Sequence, residues 1–209
     1  FGESSRAEEY RQMAEAAQKS FVSKFWNLER SCLYDVVDEH ELDASLRPNQ
    51  IIAVALDFTM FDDAKNQRVV DVVLNELLTP CGLRTLARND PRYVGVYSGD
   101  RASRDRAYHN GTVWPWLLGP LTTAFLKVNG CAELQREYAF QNFLKPLFTQ
   151  KVFEAGLGTL GEIFDGEPPY TPRGCIAQAW SVAEPFRAYV EDFLQVRPEY
   201  EKRVLQTLV

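Results

Sequence analysis

The chain has 209 residues, 45% of them hydrophobic, and a net charge of −6; it can bury a full core as one domain over 1–209, and it is too acidic for non-specific nucleic-acid binding, which needs a basic surface. Cys32, Cys81, Cys131 and Cys175 are widely spaced without a Cys-x-x-Cys pair, which argues against zinc and reads as four buried free thiols in a reducing cytosol. No run is apolar enough to span a membrane and no basic-plus-apolar leader opens the chain, so a cytoplasmic protein is expected, with no membrane or nucleic-acid partner, no metal and no cofactor.

In chain order, residues 6–28 predict an amphipathic helix, with Tyr10, Met13, Ala14, Ala17, Phe21, Phe25 and Leu28 at spacings of three and four. Residues 31–37 are β-prone and read as half of a small hairpin. A second helix is expected over 48–60, with Pro48 in the first turn, where its missing N–H costs nothing. A third is expected over 62–79, where Val69, Val70, Val73, Leu74, Leu77 and Leu78 share one face; Pro80-Cys81-Gly82 stops it. Residues 83–108 show no period and read as a long loop, a length that inside a compact domain usually serves function. The run Tyr108-His109-Asn110-Gly111-Thr112-Val113-Trp114-Pro115-Trp116 then feeds a helix to about Val128. Residues 132–154 read as helical with a break at Pro146. Residues 174–194 form the next helix, kinked at Pro185, and 198–208 a last short one.

Between these helices lies a Gly- and Pro-rich loop carrying three carboxylates, Glu162, Asp165 and Glu167, which leads into Arg173, Gln178 and Trp180. Carboxylates for proton transfer, polar forks for hydroxyls and an indole face for the apolar side of a ring suit a sugar; a surface loop of solvated acids would look the same. Three polar-aromatic clusters begin at Arg47, His109 and Arg173, 62 and 64 residues apart. Each is placed at the start of a helix, with a second helix before the next. This is the pattern of a helical-hairpin array with one special residue set per hairpin, all at one end, converging on one mouth if alternate helices form an inner layer.

Four motifs carry a family resemblance: Arg47-Pro48-Asn49-Gln50, the run from Tyr108 to Trp116, Gly161-Glu162-Ile163-Phe164-Asp165-Gly166, and Arg173-Gly174-Cys175-Ile176-Ala177-Gln178-Ala179-Trp180-Ser181. In this order they resemble the C-terminal amylo-α-1,6-glucosidase module of glycogen debranching enzymes, closest to the archaeal and bacterial type. The resemblance implies an all-α chain forming the C-terminal half of an (α/α)6 toroid. It implies hydrolysis of α-1,6-linked glucose with inversion, on glycogen, limit dextrin or maltooligosaccharide. About three hairpins stand where the toroid needs six, so the N-terminal half of a parent enzyme is the implied partner and carries the general acid.

Glu162 matches the family's general base, with Asp165 as the rival carboxylate or a turn-former before Gly166. Tyr108, His109, Trp114 and Trp116 are candidate subsite walls, one of the two tryptophans being expected in the core. Arg47 and Gln50 would hold hydroxyls or the catalytic carboxylate, or form an ordinary helix-start pair. Arg173 and Gln178 are read in the same way, and Trp180 lies on the apolar face of its helix, where core packing competes with sugar stacking. A glucoamylase- or trehalase-like hydrolase on the same fold and a non-catalytic carbohydrate-binding fragment are the competing functions.

Overall fold

A computed structural model describes residues 4–197 and 199–200; the helix expected over 198–208 lies almost entirely outside them. The architecture is helical and built in two layers. Helices α2 (Asn49–Ala55), α5 (Leu118–Asn129) and α8 (Ala179–Ala188) form an inner row in which α5 packs on both neighbours. Helix α3 (Asp63–Glu76) backs α2 and α5, while α6 (Glu133–Ala139) and α7 (Lys145–Thr149) follow α5 on the outside. α5 sits centrally because it is apolar nearly all round: Leu118, Leu121, Ala124, Phe125 and Leu126 are buried, the signature of a helix enclosed by others. The row is the hairpin array expected from the sequence, half of an (α/α)6 toroid.

Several boundaries differ from the sequence reading. α1 (Ser4–Phe25) forms, but of its stripe Phe21 and Phe25 pack on the core, beside Val22, which the stripe did not include, while Tyr10 and Met13 stay exposed because no described element covers them. The Asp62 side chain accepts the Lys65 N–H at the start of α3, a capping bond that sets the boundary one residue later than predicted. The segment 83–108 is not all loop, since α4 (Arg101–Tyr108) closes it, capped by Asp100 on the Ser103 N–H at 2.8 Å. α4 buries Ala107 alone, so it leaves no apolar period to read. After α6 the chain widens into a π turn at Phe140–Leu144 before Pro146, and a second π turn, Tyr189–Phe193, follows α8. α8 runs through Pro185, which is buried within it.

The largest departure from a purely helical expectation is local. β1 (Trp26–Asn27) pairs β2 (Cys32–Leu33), and β3 (Val36–Val37) pairs β4 (Leu42–Asp43). β5 (Leu78–Thr79), β6 (Gly82–Arg84), β7 (Val113–Trp114), β8 (Ile163–Phe164) and β9 (Pro172–Arg173) form an antiparallel meander in chain order. Leu83 lies opposite Trp114, Val113 opposite Phe164, and Ile163 opposite Arg173. This sheet ties together the segments that precede α5 and α8. His109 therefore caps the C-terminal end of α4, and Arg173 lies on a strand, neither at a helix start. Cys32 and Cys81 are buried, and burial pushes the Cys81 thiol up to about 12; Cys131 and Cys175 are exposed, unlike the expectation for all four.

Candidate active site

The meander aligns β8 and β9 so that the pairing continues past both strand ends. The Glu162 N–H donates to the Cys175 carbonyl at 2.9 Å, and the Cys175 N–H returns to Glu162 Oε2 at 3.0 Å. Between them Gly174 adopts φ +68°, and a Cβ there would overlap Glu162 Oε2. The turn is thus open to glycine and brings a peptide donor against the carboxylate. From the other side, Tyr108, the last residue of α4, donates its phenol to Glu162 Oε1. Burial first, and then this bond, push the Tyr108 hydroxyl well above its ordinary range, so it stays a proton donor. Each Glu162 oxygen thus has one fixed donor, and a carboxylate has about four acceptor positions. The half-buried group is held in one rotamer with lone pairs left over.

The other two acids of the loop are otherwise engaged. Asp165 is 5% exposed; it accepts the Tyr97 N–H at 2.8 Å and the Arg173 Nε–H at 3.0 Å, with Arg173 Nη2 ion-paired at 3.0 Å. Glu167 accepts Tyr93 OH at 2.7 Å and is ion-paired with Arg88. Residues 93–97 form a strap between these acids and α4. Val94 N–H donates to the Asn110 carbonyl and Gly95 accepts from Gly166 N–H, each at 2.6 Å. A side chain at Gly166 would overlap the Gly111 carbonyl. The strap delivers the Tyr97 ring to 5.9 Å from Tyr108.

Asp165→Asn should therefore lower stability by about 2 kcal/mol, the order of a lost charge-assisted hydrogen bond, because Arg173 keeps no anion there. Urea unfolding checks this. An Asp165→Asn protein of unchanged stability and no turnover would instead make Asp165 the reacting carboxylate.

An aromatic wall continues from Tyr108. His109 stacks on Trp114 at 5.6 Å, Trp114 meets Trp180 edge-on at 5.8 Å, and Trp180 stacks on Trp116 at 5.6 Å. Trp114 is the core tryptophan of the pair, 5% exposed, with its indole N–H shared between the Tyr108 carbonyl and Thr112 Oγ1. Trp180 is 46% exposed and free to present its ring. Burial and the neighbouring Arg47 charge lower the His109 pKa from its ordinary value, which favours the neutral imidazole that both donates and accepts.

Arg47 spans the first two clusters. Its guanidinium donates to the carbonyls of Thr85 (3.1 Å) and His109 (2.5 Å) and to Asn110 Oδ1 (2.9 Å). Gln50 is buried, accepts from Leu33 N–H and donates to the Arg47 carbonyl. Gln178 caps α8 through the Ala179 N–H. The structure thus brings Arg47, Tyr108, His109, Trp114 and Glu162 into one hydrogen-bonded and stacked constellation. It commits the polar groups of Gln50 and Arg173 to the protein itself. Sequence reading passed over Tyr97 and Asn110. Asn110 sits inside the quoted motif, and Tyr97 precedes a Ser-Gly-Asp turn in the long loop, so both carried a signal. Among the described residues no group of His, Cys, Asp and Glu is placed to hold a metal, and no helix is long and apolar enough to cross a membrane.

Comparison with known proteins places this constellation in context. The glycogen debranching enzyme of Saccharomyces cerevisiae is 27% identical over 158 residues, covering 68% of this chain and 10% of that protein. Among solved structures, neutral trehalase Nth1 from Saccharomyces cerevisiae superposes with a TM-score of 0.60 at 15% identity, covering 96% of this chain and 32% of the other. A protein described as a sialidase superposes with a TM-score of 0.68, also at 15% identity, over 95% of this chain and 18% of its own. At such identities the two structures establish the shared fold, and the chain spans a third or less of each of the three relatives. The family model for amylo-alpha-1,6-glucosidase matches residues 2–187, nearly the whole chain, and the chain belongs to that family of glycoside hydrolases.

Proposed function

We propose that this chain is the C-terminal part of a glucosidase domain that hydrolyses α-1,6-linked glucose at the branch points of glycogen or limit dextrin, with inversion. The observation that carries the reading is the Glu162 carboxylate, fixed by the Tyr108 phenol and the Cys175 N–H beside an aromatic wall. In this reading Glu162 is the general base. It takes a proton from a water that attacks the anomeric carbon on the face opposite the leaving oxygen. Inversion needs a second carboxyl group about 6.5–9.5 Å away to protonate that oxygen. The N-terminal half of the parent enzyme supplies it, and the working enzyme is cytoplasmic. Tyr108 aims one oxygen, the Cys175 N–H aims the other, and Trp180 offers a face to the sugar ring.

The parent enzyme, supplied with glycogen limit dextrin, maltose and trehalose, should release glucose fastest from limit dextrin. Proton NMR within the first minutes should show β-glucose before mutarotation. Preference for maltose or trehalose would move the activity to another inverting hydrolase of this fold. Binding of maltooligosaccharide without any glucose release would make the chain a carbohydrate-binding element.

A further inference from the structure

The strap of residues 93–97 is tied down at four points. Val94 N–H donates to the Asn110 carbonyl and the Gly95 carbonyl accepts from Gly166 N–H. Tyr93 OH donates to Glu167, and Tyr97 N–H takes one oxygen of the buried Asp165. Glycines let the strap lie flat on its neighbours: a Cβ at Gly95 would come within 2.8 Å of Tyr93 OH, and one at Gly111 would overlap the Val94 carbonyl. Ordering each residue costs backbone entropy, which a solvated loop would keep. Of the strap's side chains, Tyr93 bonds Glu167 and Val96 is exposed, while the Tyr97 ring meets Tyr108. We propose that Tyr97 is a positioning residue of the reaction, whose ring holds the Tyr108 phenol on Glu162. This rests on the general-base role of Glu162 proposed above.

Tyr108 needs such support. It ends α4, which buries Ala107 alone, so the helix gives its side chain little packing. The Tyr108 carbonyl is fixed by Thr112 Oγ1 at 2.6 Å and Trp114 Nε1 at 3.3 Å, but a fixed backbone still leaves a side chain its staggered wells. Among the described residues, three rings border that of Tyr108: His109 at 4.7 Å, Trp114 at 5.0 Å and Tyr97 at 5.9 Å. His109 and Trp114 belong to the same run of chain as Tyr108 and move with it. Tyr97 reaches it from another segment, one anchored independently on Asp165 and Gly166.

The anchors and the base form one closed circuit. It runs along the chain from Glu162 to Asp165, by hydrogen bond from Asp165 to Tyr97, by ring contact from Tyr97 to Tyr108, and by the phenol back to Glu162. The same short loop therefore carries the carboxylate and holds the ring that steers its donor. Opening the circuit at Tyr97 frees the phenol to rotate, and Glu162 is left with the Cys175 N–H as its fixed donor. A reacting group needs its supporting contacts to stay within about 0.5 Å of the productive geometry, so the effect should appear in turnover more than in substrate binding.

The test uses the full-length parent enzyme on limit dextrin, with 3-fluorotyrosine incorporated at position 108 for fluorine NMR. Tyr97→Leu should lower kcat about tenfold and leave KM within about twofold, the pattern of a misplaced reacting group. Tyr97→Phe keeps the ring and should keep kcat near normal. Val96→Ala, on the exposed side of the same strap, should not change it. In a Tyr108→Phe background, Tyr97→Leu should have no further effect on kcat, because the phenol it holds is gone; an unrelated structural loss would add. The fluorine resonance of position 108 should broaden or split in Tyr97→Leu. If Tyr97→Leu does not fold, Tyr93→Phe removes the bond to Glu167 and loosens the strap. It should cost about threefold in kcat and decides by the same pairing with Tyr108→Phe. Three results would each overturn the proposal: unchanged kcat in a folded Tyr97→Leu protein, full additivity with Tyr108→Phe, or a Tyr97→Phe protein as slow as Tyr97→Leu. The last would make the Tyr97 hydroxyl a substrate contact. Normal turnover by Glu162→Gln, with the fluorine spectrum still disturbed by Tyr97→Leu, would instead bring down the base assignment and uphold the hold of Tyr97 on Tyr108.

Discussion

Glu162→Gln, made in the parent enzyme, should leave folding intact and reduce glucose release by about 10²- to 10⁴-fold, the usual worth of a general base. The replacement has the same shape, and its surroundings can accept it. With the amide oxygen toward the Cys175 N–H and the amide nitrogen toward Tyr108, the phenol becomes an acceptor instead of a donor to Oε1. The Cys175 N–H keeps its acceptor, and the phenol O–H that gives up Oε1 belongs to a side chain that is half-buried, so the melting temperature should move little. What disappears is an anion able to take a proton from water. Michaelis parameters separate the effects: kcat should collapse while KM for limit dextrin stays near its original value. Near-normal turnover in a normally stable Glu162→Gln protein would strip Glu162 of the role. Asp165 would be the next residue to test, although Arg173 and the Tyr97 N–H already occupy one of its oxygens each.

Gly174→Ala should cost both stability and activity, and the two losses have separate causes. At φ +68° an alanine sits in the left-handed region, a strain of about 1–3 kcal/mol. Its Cβ would also overlap Glu162 Oε2 and press on the Glu162 Cβ and Cδ, 3.2 Å away. The carboxylate must swing aside and release the Cys175 N–H. Misplacing a reacting group by about 1 Å costs on the order of 10²-fold in rate. Gly158→Ala is the control, because Gly158 has φ +74° with nothing within 4 Å of an added methyl group. It should show a comparable shift in urea midpoint with full glucose release. If Gly174→Ala were as active as Gly158→Ala, the rotamer of Glu162 would not matter to the reaction, and the contact from Cys175 would be incidental.

How much of this was legible beforehand follows from the range of the interactions. The helices α2, α3, α5 and α8, and the repetition of polar-aromatic clusters ahead of them, could be read from the chain because apolar periodicity and turn residues act over a few positions. The identity of Glu162 as the carboxylate of interest came through its motif, since three acids within six residues are chemically alike as letters. Their separation is tertiary: Arg173 neutralises Asp165 across the β8–β9 hairpin, Arg88 and Tyr93 bind Glu167 from the long loop, and Tyr108 and the Cys175 N–H aim Glu162.

The strands of the meander are two or three residues long, too short to show a period of two, and exist because distant segments pair. α4 was hidden because a helix that buries Ala107 alone has no apolar face to announce it. The assignment of Gln50 and Arg173 to internal bonds, and the exposure of Cys131 and Cys175, likewise depend on which surfaces the folded chain covers. The helical hairpins and the chemistry available at their ends are written in short stretches of chain, because both are set by neighbouring residues. Which carboxylate faces a phenol and which faces an arginine depends on the tertiary structure, because those partners lie up to 79 residues apart in the chain and meet when the layers pack.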